Sequence, residues 1–155
     1  MSKEKTSFVY VTYIRSTPEK VFEAITRPEV ARRYWGHENV SDWRPGSSWE
    51  HVRTDEERTV DLVGKVVEVA APTRLVITWA NASQAADPAG YSRVTFDVVP
   101  YDEMVRLTVT HDELEAGSGM ASTTLPTSST LRCSLARTCC QVDPTFQSET
   151  FSWPQ

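Results

Sequence analysis

Cysteine is missing from the first 132 residues of this 155-residue chain, and all three cysteines, Cys133, Cys139 and Cys140, lie near its end. An odd number of cysteines gathered in one segment does not make a disulfide framework. Basic runs are also missing: the longest cluster is Arg32-Arg33, the formal net charge is −5 and the pI is about 5.2. Nucleic acid and acidic membranes are therefore not expected as partners, because both attract basic surfaces.

Long apolar runs and catalytic motifs are absent too. No run approaches the length of a membrane helix, and the polar start MSKEKTSF lacks the apolar core of a signal peptide, so we expect a cytoplasmic protein. The three histidines, His37, His51 and His111, show no close metal-ligand spacing, so no metal is expected. The chain has no nucleophile elbow, phosphate loop or dinucleotide fingerprint, so no cofactor is expected either.

The first third of the chain predicts one strand and two short helices. Phe8–Ile14 is rich in aromatic and β-branched residues, which are typical of a strand. Thr17 suits a helix N-cap, Pro18 suits the first helical position, and an apolar stripe continues to Ile25. Pro28–Trp35 predicts a second helix, because proline again fits an opening turn.

The next part of the chain predicts five strands, because turn residues separate segments that have no helical pattern. The strands are expected at Ser48–Arg53, Thr59–Val69, Arg74–Ala80, Tyr91–Tyr101 and Met104–His111, with a weaker one around Val40–Trp43. Their short links indicate an antiparallel meander. Alternation places six residues on the concave face of a curved sheet: Leu75, Ile77, Trp79, Val94, Phe96 and Leu107. Gly64 is predicted to mark a bulge or kink.

Five motifs follow one another in a characteristic order: STPEKVFEAIT, RPEVARRYW, DWRPGSSWEH, VGKVVEVAAPTRLVITW and SRVTFDVVPYDEMVRLTVTHDEL. Over about Thr6 to Glu115 this order resembles the START-like (SRPBCC) helix-grip superfamily, most closely bacterial proteins similar to the activator of heat-shock protein 90 ATPase. The resemblance implies an α+β fold in which a curved antiparallel sheet grips a long C-terminal helix. It also implies an apolar cavity between them, which in this superfamily often holds a lipid-like or aromatic molecule.

The end of the chain departs from that pattern. The stretch TTLPTSSTLRCSLARTCC has neither helical nor strand periodicity. We therefore predict a START-like domain at 1–122 and an atypical tail at 123–155. A shift of one base in the reading frame restores an amphipathic helical pattern here, so the tail is interpreted as a frameshift product, with a natural variable tail as the alternative. We expect it to be poorly ordered or only locally helical.

Ten residues are predicted to line the cavity: Trp35, Trp43, Trp49, His51, Leu75, Ile77, Trp79, Phe96, Leu107 and His111. Aromatic walls suit flat or greasy ligands, and Trp79 is the strongest candidate for a ligand contact. Ordinary core packing is the alternative for each tryptophan, and a hydrogen-bonded structural role is the alternative for each histidine.

Three functions fit these expectations. The first is binding of a hydrophobic small molecule, because an enclosed cavity is expected without a complete set of catalytic groups. The second, implied by the resemblance, is a cochaperone that activates a heat-shock protein 90 type ATPase and so has a chaperone as its partner. The third is a cyclase or aromatase type of enzyme on the same fold. A monomer or weak homodimer is expected.

Overall fold

The computed structural model describes residues 5–115, apart from the side chains of Thr6, Tyr34, Trp35, Leu114 and Glu115. In chain order, the elements of this part are β1 (Lys5–Ile14), α1 (Pro18–Thr26), α2 (Pro28–Trp35), β2 (His37–Ser41), β3 (Ser48–Arg53), β4 (Val60–Ala70), β5 (Arg74–Asn81), two single 3-10 turns (Ala82–Gln84 and Pro88–Gly90), β6 (Ser92–Tyr101) and β7 (Met104–Glu115). The predicted tail at 123–155, and the C-terminal helix with it, lie outside the described residues.

The seven strands form one curved antiparallel sheet in the order β1-β7-β6-β5-β4-β3-β2. Each strand from β2 to β6 pairs with the next strand along the chain, and β1 completes the order by pairing with β7. The predicted meander is confirmed. Together with two short helices after the first strand, this sheet has the architecture expected of a helix-grip fold.

Local sequence signals set the two helices. The Thr17 hydroxyl accepts a hydrogen bond from the Lys20 backbone N–H at 3.4 Å and so caps α1, as predicted. Arg27 is extended because it precedes Pro28, and the helical region is unfavourable for a residue in that position. Gly36 ends α2 with a left-handed φ of 65°, which glycine adopts without steric cost.

Three strands differ from their predicted bounds by more than one residue. The first strand, β1, begins at Lys5 instead of Phe8. The weak strand predicted at Val40–Trp43 is found earlier, as β2 at His37–Ser41. It cannot continue to Trp43, whose φ of 52° lies outside the extended region. The last strand runs on to Glu115 instead of ending at His111, because its final residues still pair with the start of β1.

Gly64 is not a bulge, which corrects the expectation from sequence. The register of β4 shifts against β3 between His51 and Val52, and against β5 between Val66 and Glu68. Gly64 lies between these two irregularities, directly opposite Trp49 of β3. Its role is to leave space for that tryptophan.

The core lies between the concave face of the sheet and helix α1. Five of the six residues predicted to face inward are at most 3% exposed, and Trp79 is half-buried against them. Helix α1 contributes four buried apolar side chains: Val21, Phe22, Ala24 and Ile25. The predicted faces of the central strands are therefore confirmed, and the remaining question is whether this interior has space for a ligand.

Candidate functional site

A cavity lies where α1 approaches strands β2, β3, β5 and β6. We call it the concave cavity, and its lining residues are Ile25, Asn39, Trp43, Trp49, Leu75, Ile77, Trp79 and Phe96. The cavity volume that is open to the centre of a water molecule is about 10 Å³, which is enough for about one water molecule. A larger guest therefore requires a wall to move.

Trp49 lines the cavity, and the position of its indole ring depends on Gly64. Its indole N–H donates to the Thr78 carbonyl oxygen at 2.7 Å, reaching across β4 to β5. A Cβ atom at position 64 would lie 1.8 Å from that oxygen and 2.4 Å from the indole nitrogen. Only glycine leaves enough space for the indole ring at this position, because real Cβ atoms do not approach other atoms so closely.

Trp43 closes the end of the cavity beside α1. It follows β2 in a left-handed conformation, and its backbone N–H donates to the Ser41 hydroxyl at 3.0 Å. Its indole N–H donates to the carbonyl oxygen of Thr26, the last residue of α1, at 2.9 Å. This bond satisfies a carbonyl that the helix itself leaves without a partner.

Asn39 joins the helix to the sheet on the polar side of the cavity. Its amide nitrogen donates to the Ile25 carbonyl oxygen at 2.8 Å, and its amide oxygen lies 2.7 Å from Nδ1 of His51. Because that oxygen can only accept, Nδ1 of His51 carries the hydrogen. Burial, reinforced by the neighbouring His37 ring, lowers the pKa of His51 to about 3, so this histidine is neutral near pH 7.

His111 occupies a similar position on the other side of Trp79. Its Nε2 lies 2.6 Å from the Ser92 hydroxyl, which donates to the Trp79 carbonyl oxygen at 3.2 Å. Burial lowers the pKa of His111 to about 4, so it is also neutral near pH 7. The buried polar groups around Trp79 thus bond to one another and carry no charge.

Five rings form what we call the aromatic row: His37, His51, Trp49, Trp79 and His111. The His37 and His51 rings are stacked, with centroids 4.3 Å apart and planes 2° apart. Trp79 is the middle ring, with centroids at 5.4 Å from Trp49 and 5.9 Å from His111. The row crosses the sheet from β2 to β7 and brings together histidines that are far apart in sequence.

Charged groups gather at the β2 end of the row, away from the lining of the cavity. Asp61 accepts a hydrogen bond from Nε of Arg53 at 2.7 Å and lies 2.9 Å from Nε2 of His37. The hydrogen bond from Arg53 holds the pKa of Asp61 below its usual value.

A second charged group at this end is Glu38, whose side chain is buried and pairs with both Arg32 and Arg58. The hydrogen bond from Arg58 lowers the pKa of Glu38 below its usual value.

Six of the ten predicted lining residues line the concave cavity: Trp43, Trp49, Leu75, Ile77, Trp79 and Phe96. His51 and His111 lie in the adjoining aromatic row. Leu107 is buried in the core farther along the sheet, opposite Val98 of β6, and the side chain of Trp35 lies outside the described residues.

Sequence reasoning missed two lining residues. Ile25 belongs to the apolar stripe of α1, so the same stripe that predicted a buried helix face could have placed it at the cavity. Asn39 gave no such signal, because an asparagine in a short polar strand is normally expected at the surface.

The described part of the chain has neither a metal site nor a membrane-spanning helix. No group of three or more histidine, cysteine, aspartate or glutamate side chains in residues 5–115 could hold a metal ion. Neither helix in this range is long and apolar enough to cross a membrane.

Comparison with protein families identifies relatives of this fold. The model of the family described as "Activator of Hsp90 ATPase homolog 1-like protein" matches residues 15–132, about three quarters of the chain. No curated protein matches the sequence.

Several solved structures share the fold. A protein from Mesorhizobium loti is 22% identical, with a TM-score of 0.69 over 89% of this chain and 99% of its own. An HSP90 activator from Plasmodium falciparum is 21% identical, with a TM-score of 0.60 over 74% of this chain and 77% of its own. The Aha1 dimer from Colwellia psychrerythraea is 16% identical, with a TM-score of 0.64 over 81% of this chain and 90% of its own. At these identities the likeness concerns the fold alone.

Proposed function

Since the chain belongs to the family of Activator of Hsp90 ATPase homolog 1-like proteins, we propose that it uses this fold to bind a small hydrophobic molecule in the concave cavity. The observation that carries the proposal is the lining itself: seven of its eight side chains are aliphatic or aromatic, and the eighth is Asn39. Pockets for small ligands are typically apolar, with few polar groups.

The polar atoms of the lining support this proposal. Both polar atoms of Asn39 and the indole N–H groups of Trp43 and Trp49 already have protein partners. A guest would therefore replace solvent against an apolar surface without breaking hydrogen bonds. Trp79 is the wall best suited to move, because it is half-buried and no hydrogen bond holds its indole N–H within residues 5–115.

Ligand binding can be tested with a thermal-shift screen of lipids, sterols and flat aromatic compounds, followed by native mass spectrometry of the protein from its host. Binding to the native state raises the melting temperature by mass action. The Trp79→Ala variant should lose affinity, whereas Tyr101→Ala, a half-exposed ring on the opposite face of β6, should not. The proposal fails if no compound shifts the melting temperature. Chemical conversion of a bound compound would instead support the third function, a cyclase or aromatase type of enzyme.

A cochaperone is the second candidate, favoured by the description of the family and by the Plasmodium falciparum structure named as an HSP90 activator. This role predicts a direct complex with a chaperone of the heat-shock protein 90 type and a faster ATPase rate. The measurement is ATP hydrolysis by the chaperone with and without this protein. An unchanged rate, together with no binding in a pull-down, would exclude the role.

The cellular location and the oligomeric state of the protein are also part of the proposal. We place it in the cytoplasm of a bacterium, as a monomer or weak homodimer. Support comes from fold neighbours in Mesorhizobium loti and Colwellia psychrerythraea, the second of which is a dimer. Light scattering over a range of concentrations measures the oligomeric state, and a stable higher oligomer would contradict this assignment.

The domain boundary between 122 and 123 also remains a proposal, because it lies outside the described residues. Resequencing the source gene tests the frameshift. Hydrogen exchange over Ser122–Gln155 tests the tail, and a continuous, strongly protected helix there would contradict the proposed boundary.

A further inference from the structure

Building on the proposed function, we propose that the concave cavity selects uncharged, flat aromatic molecules of one or two rings, and that Trp79 moves to admit them and then packs against them. These molecules are a narrower class than the hydrophobic molecules considered above. The charge, the hydrogen bonding and the ring geometry of the cavity determine this selectivity.

The lining of the concave cavity carries no charge. None of the eight lining residues is ionisable. The two histidines that flank Trp79, His51 and His111, are kept neutral by burial, with pKa values of about 3 and about 4. A charged ligand would lose its hydration here without gaining a counter-ion, which is strongly unfavourable. Carboxylates and amines should therefore be rejected.

Most polar groups of the lining already form hydrogen bonds within the protein. Asn39 is committed to the Ile25 carbonyl oxygen and to His51, while Trp43 and Trp49 are committed to backbone carbonyl oxygens. A ligand with several polar groups would bury them without partners, at a cost for each one. The indole N–H of Trp79, which has no such commitment within residues 5–115, leaves room for one acceptor at most.

The two indole rings of the cavity favour a flat guest. Trp49 and Trp79 lie 5.4 Å apart with their planes tilted by 55°, a distance and angle typical of packed aromatic pairs. The cavity has space for about one water molecule, so a larger guest obtains most of its space by displacing one indole ring. A guest of similar flatness fits that room and can pack against both rings. A long flexible chain would need several buried walls to shift, although close-packed interiors resist such changes.

The experiment compares four probes on the full-length wild-type protein by calorimetric titration: indole, naphthalene, indole-3-acetate and decanol. We expect indole and naphthalene to bind, indole-3-acetate to bind at least about tenfold more weakly than indole because it carries a carboxylate, and decanol not to bind detectably. Equal affinity for indole and indole-3-acetate would overturn the charge argument. Binding of decanol without indole would overturn the inference but leave the proposed function intact. Binding of none of the four would also overturn the inference, and the thermal-shift screen of lipids and sterols would then decide the proposed function.

Two matched variants test the role of Trp79. Trp79→Phe retains a ring and Trp79→Leu retains only hydrophobicity. Because an aromatic pair contributes more than its buried area, we expect Trp79→Leu to weaken indole binding by about three- to tenfold and Trp79→Phe to weaken it less. Unchanged indole affinity in Trp79→Leu, with the fold checked by circular dichroism, would show that no ring is required.

Discussion

The two sides of the concave face are stabilised in different ways. Where the end of β6 pairs with the start of β7, the interior consists of closely packed aliphatic side chains such as Val98, Val105 and Leu107, each at most 2% exposed. On the side of β2 and β3, the interior consists of rings and polar groups such as Asn39 and His51, which hydrogen bonds hold in place. We call these the aliphatic side and the polar side.

The difference matters because the two kinds of interior respond differently to change. Apolar packing is non-directional, so an aliphatic core tolerates substitutions that keep its volume. A buried hydrogen bond requires both of its partners, and removing one leaves the other desolvated and unsatisfied. The polar side, which borders the concave cavity, should therefore be the more sensitive side, and each prediction below compares the two sides or measures one of them.

The largest effect is expected for Gly64→Ala, because Gly64 lies directly opposite Trp49 of the polar side. The new methyl group would collide with the Thr78 carbonyl oxygen and the Trp49 indole, at 1.8 and 2.4 Å, and neither can withdraw without breaking their mutual hydrogen bond. We expect a loss of about 4 kcal/mol or more in the free energy of unfolding, measured by urea denaturation. As a control, Gly46→Ala meets no atom within 4 Å and should cost only the strain of its φ of 88°, about 1–2 kcal/mol. Similar losses in the two variants would contradict the steric argument.

Gly64 also shows how far the sequence could be interpreted. An isolated glycine in a strand indicates a special backbone position, but the pattern does not distinguish a bulge from a close approach. The strands and helices were predictable because their periodicity and capping residues are local signals. The pairing of Asn39 with His51 and Ile25 was not predictable, because it depends on which side chains the fold brings together. The lining residues on β5 followed from alternation along one strand, whereas the aromatic row required the register of four strands.

The second effect is a loss of stability in mild acid, which arises on the polar side and its neighbour His111. The pKa values of His51 and His111 are about 3 and about 4 in the folded protein, below the value of about 6.5 expected after unfolding. Below pH 6.5 the unfolded chain therefore binds more protons than the folded one, and the free energy of unfolding falls as the pH falls towards the folded-state pKa values. Between pH 7 and pH 5 we expect a loss of about 2 kcal/mol per histidine.

The source of this pH dependence can be isolated by substitution. Chemical denaturation at several pH values gives the slope, which His111→Gln should reduce to about half because one of the two groups no longer titrates. Leu75→Met, a change on apolar packing alone, should leave the slope unchanged. Asp61 and Glu38, whose pKa values are lowered, affect stability only at lower pH, near the titration range of an unfolded carboxylate. A flat profile between pH 7 and pH 5 would contradict the burial of neutral histidines.

The third effect compares two substitutions that each keep the number of side-chain heavy atoms. Asn39→Leu is more apolar than the original residue, but it leaves the Ile25 carbonyl oxygen and the His51 N–H buried without partners, so we expect a loss of about 2–4 kcal/mol. Leu75→Met, in the apolar core, should cost less than about 1.5 kcal/mol. Both losses are measured by urea denaturation under the same conditions. A smaller loss in Asn39→Leu than in Leu75→Met would reverse the proposed difference between the two kinds of interior.

The smallest effects are expected at the surface, where solvent screens the charges that surround the polar side. Arg27 and Glu23 are both at least half exposed and 3.6 Å apart, so Arg27→Gln should change the free energy of unfolding by less than about 0.5 kcal/mol.

Arg58 is also half exposed, but its partner Glu38 is only 5% exposed and 2.8 Å away. Because Arg32 still pairs with that carboxylate, Arg58→Gln should cost more than Arg27→Gln but much less than the loss expected when a buried charge is left without any partner. Denaturation at low and high salt distinguishes the two pairs: salt should abolish the Arg27 effect and preserve most of the Arg58 effect, since buried pairs are less screened. Equal salt sensitivity would mean that Glu38 is as well solvated as Glu23, which would contradict its burial.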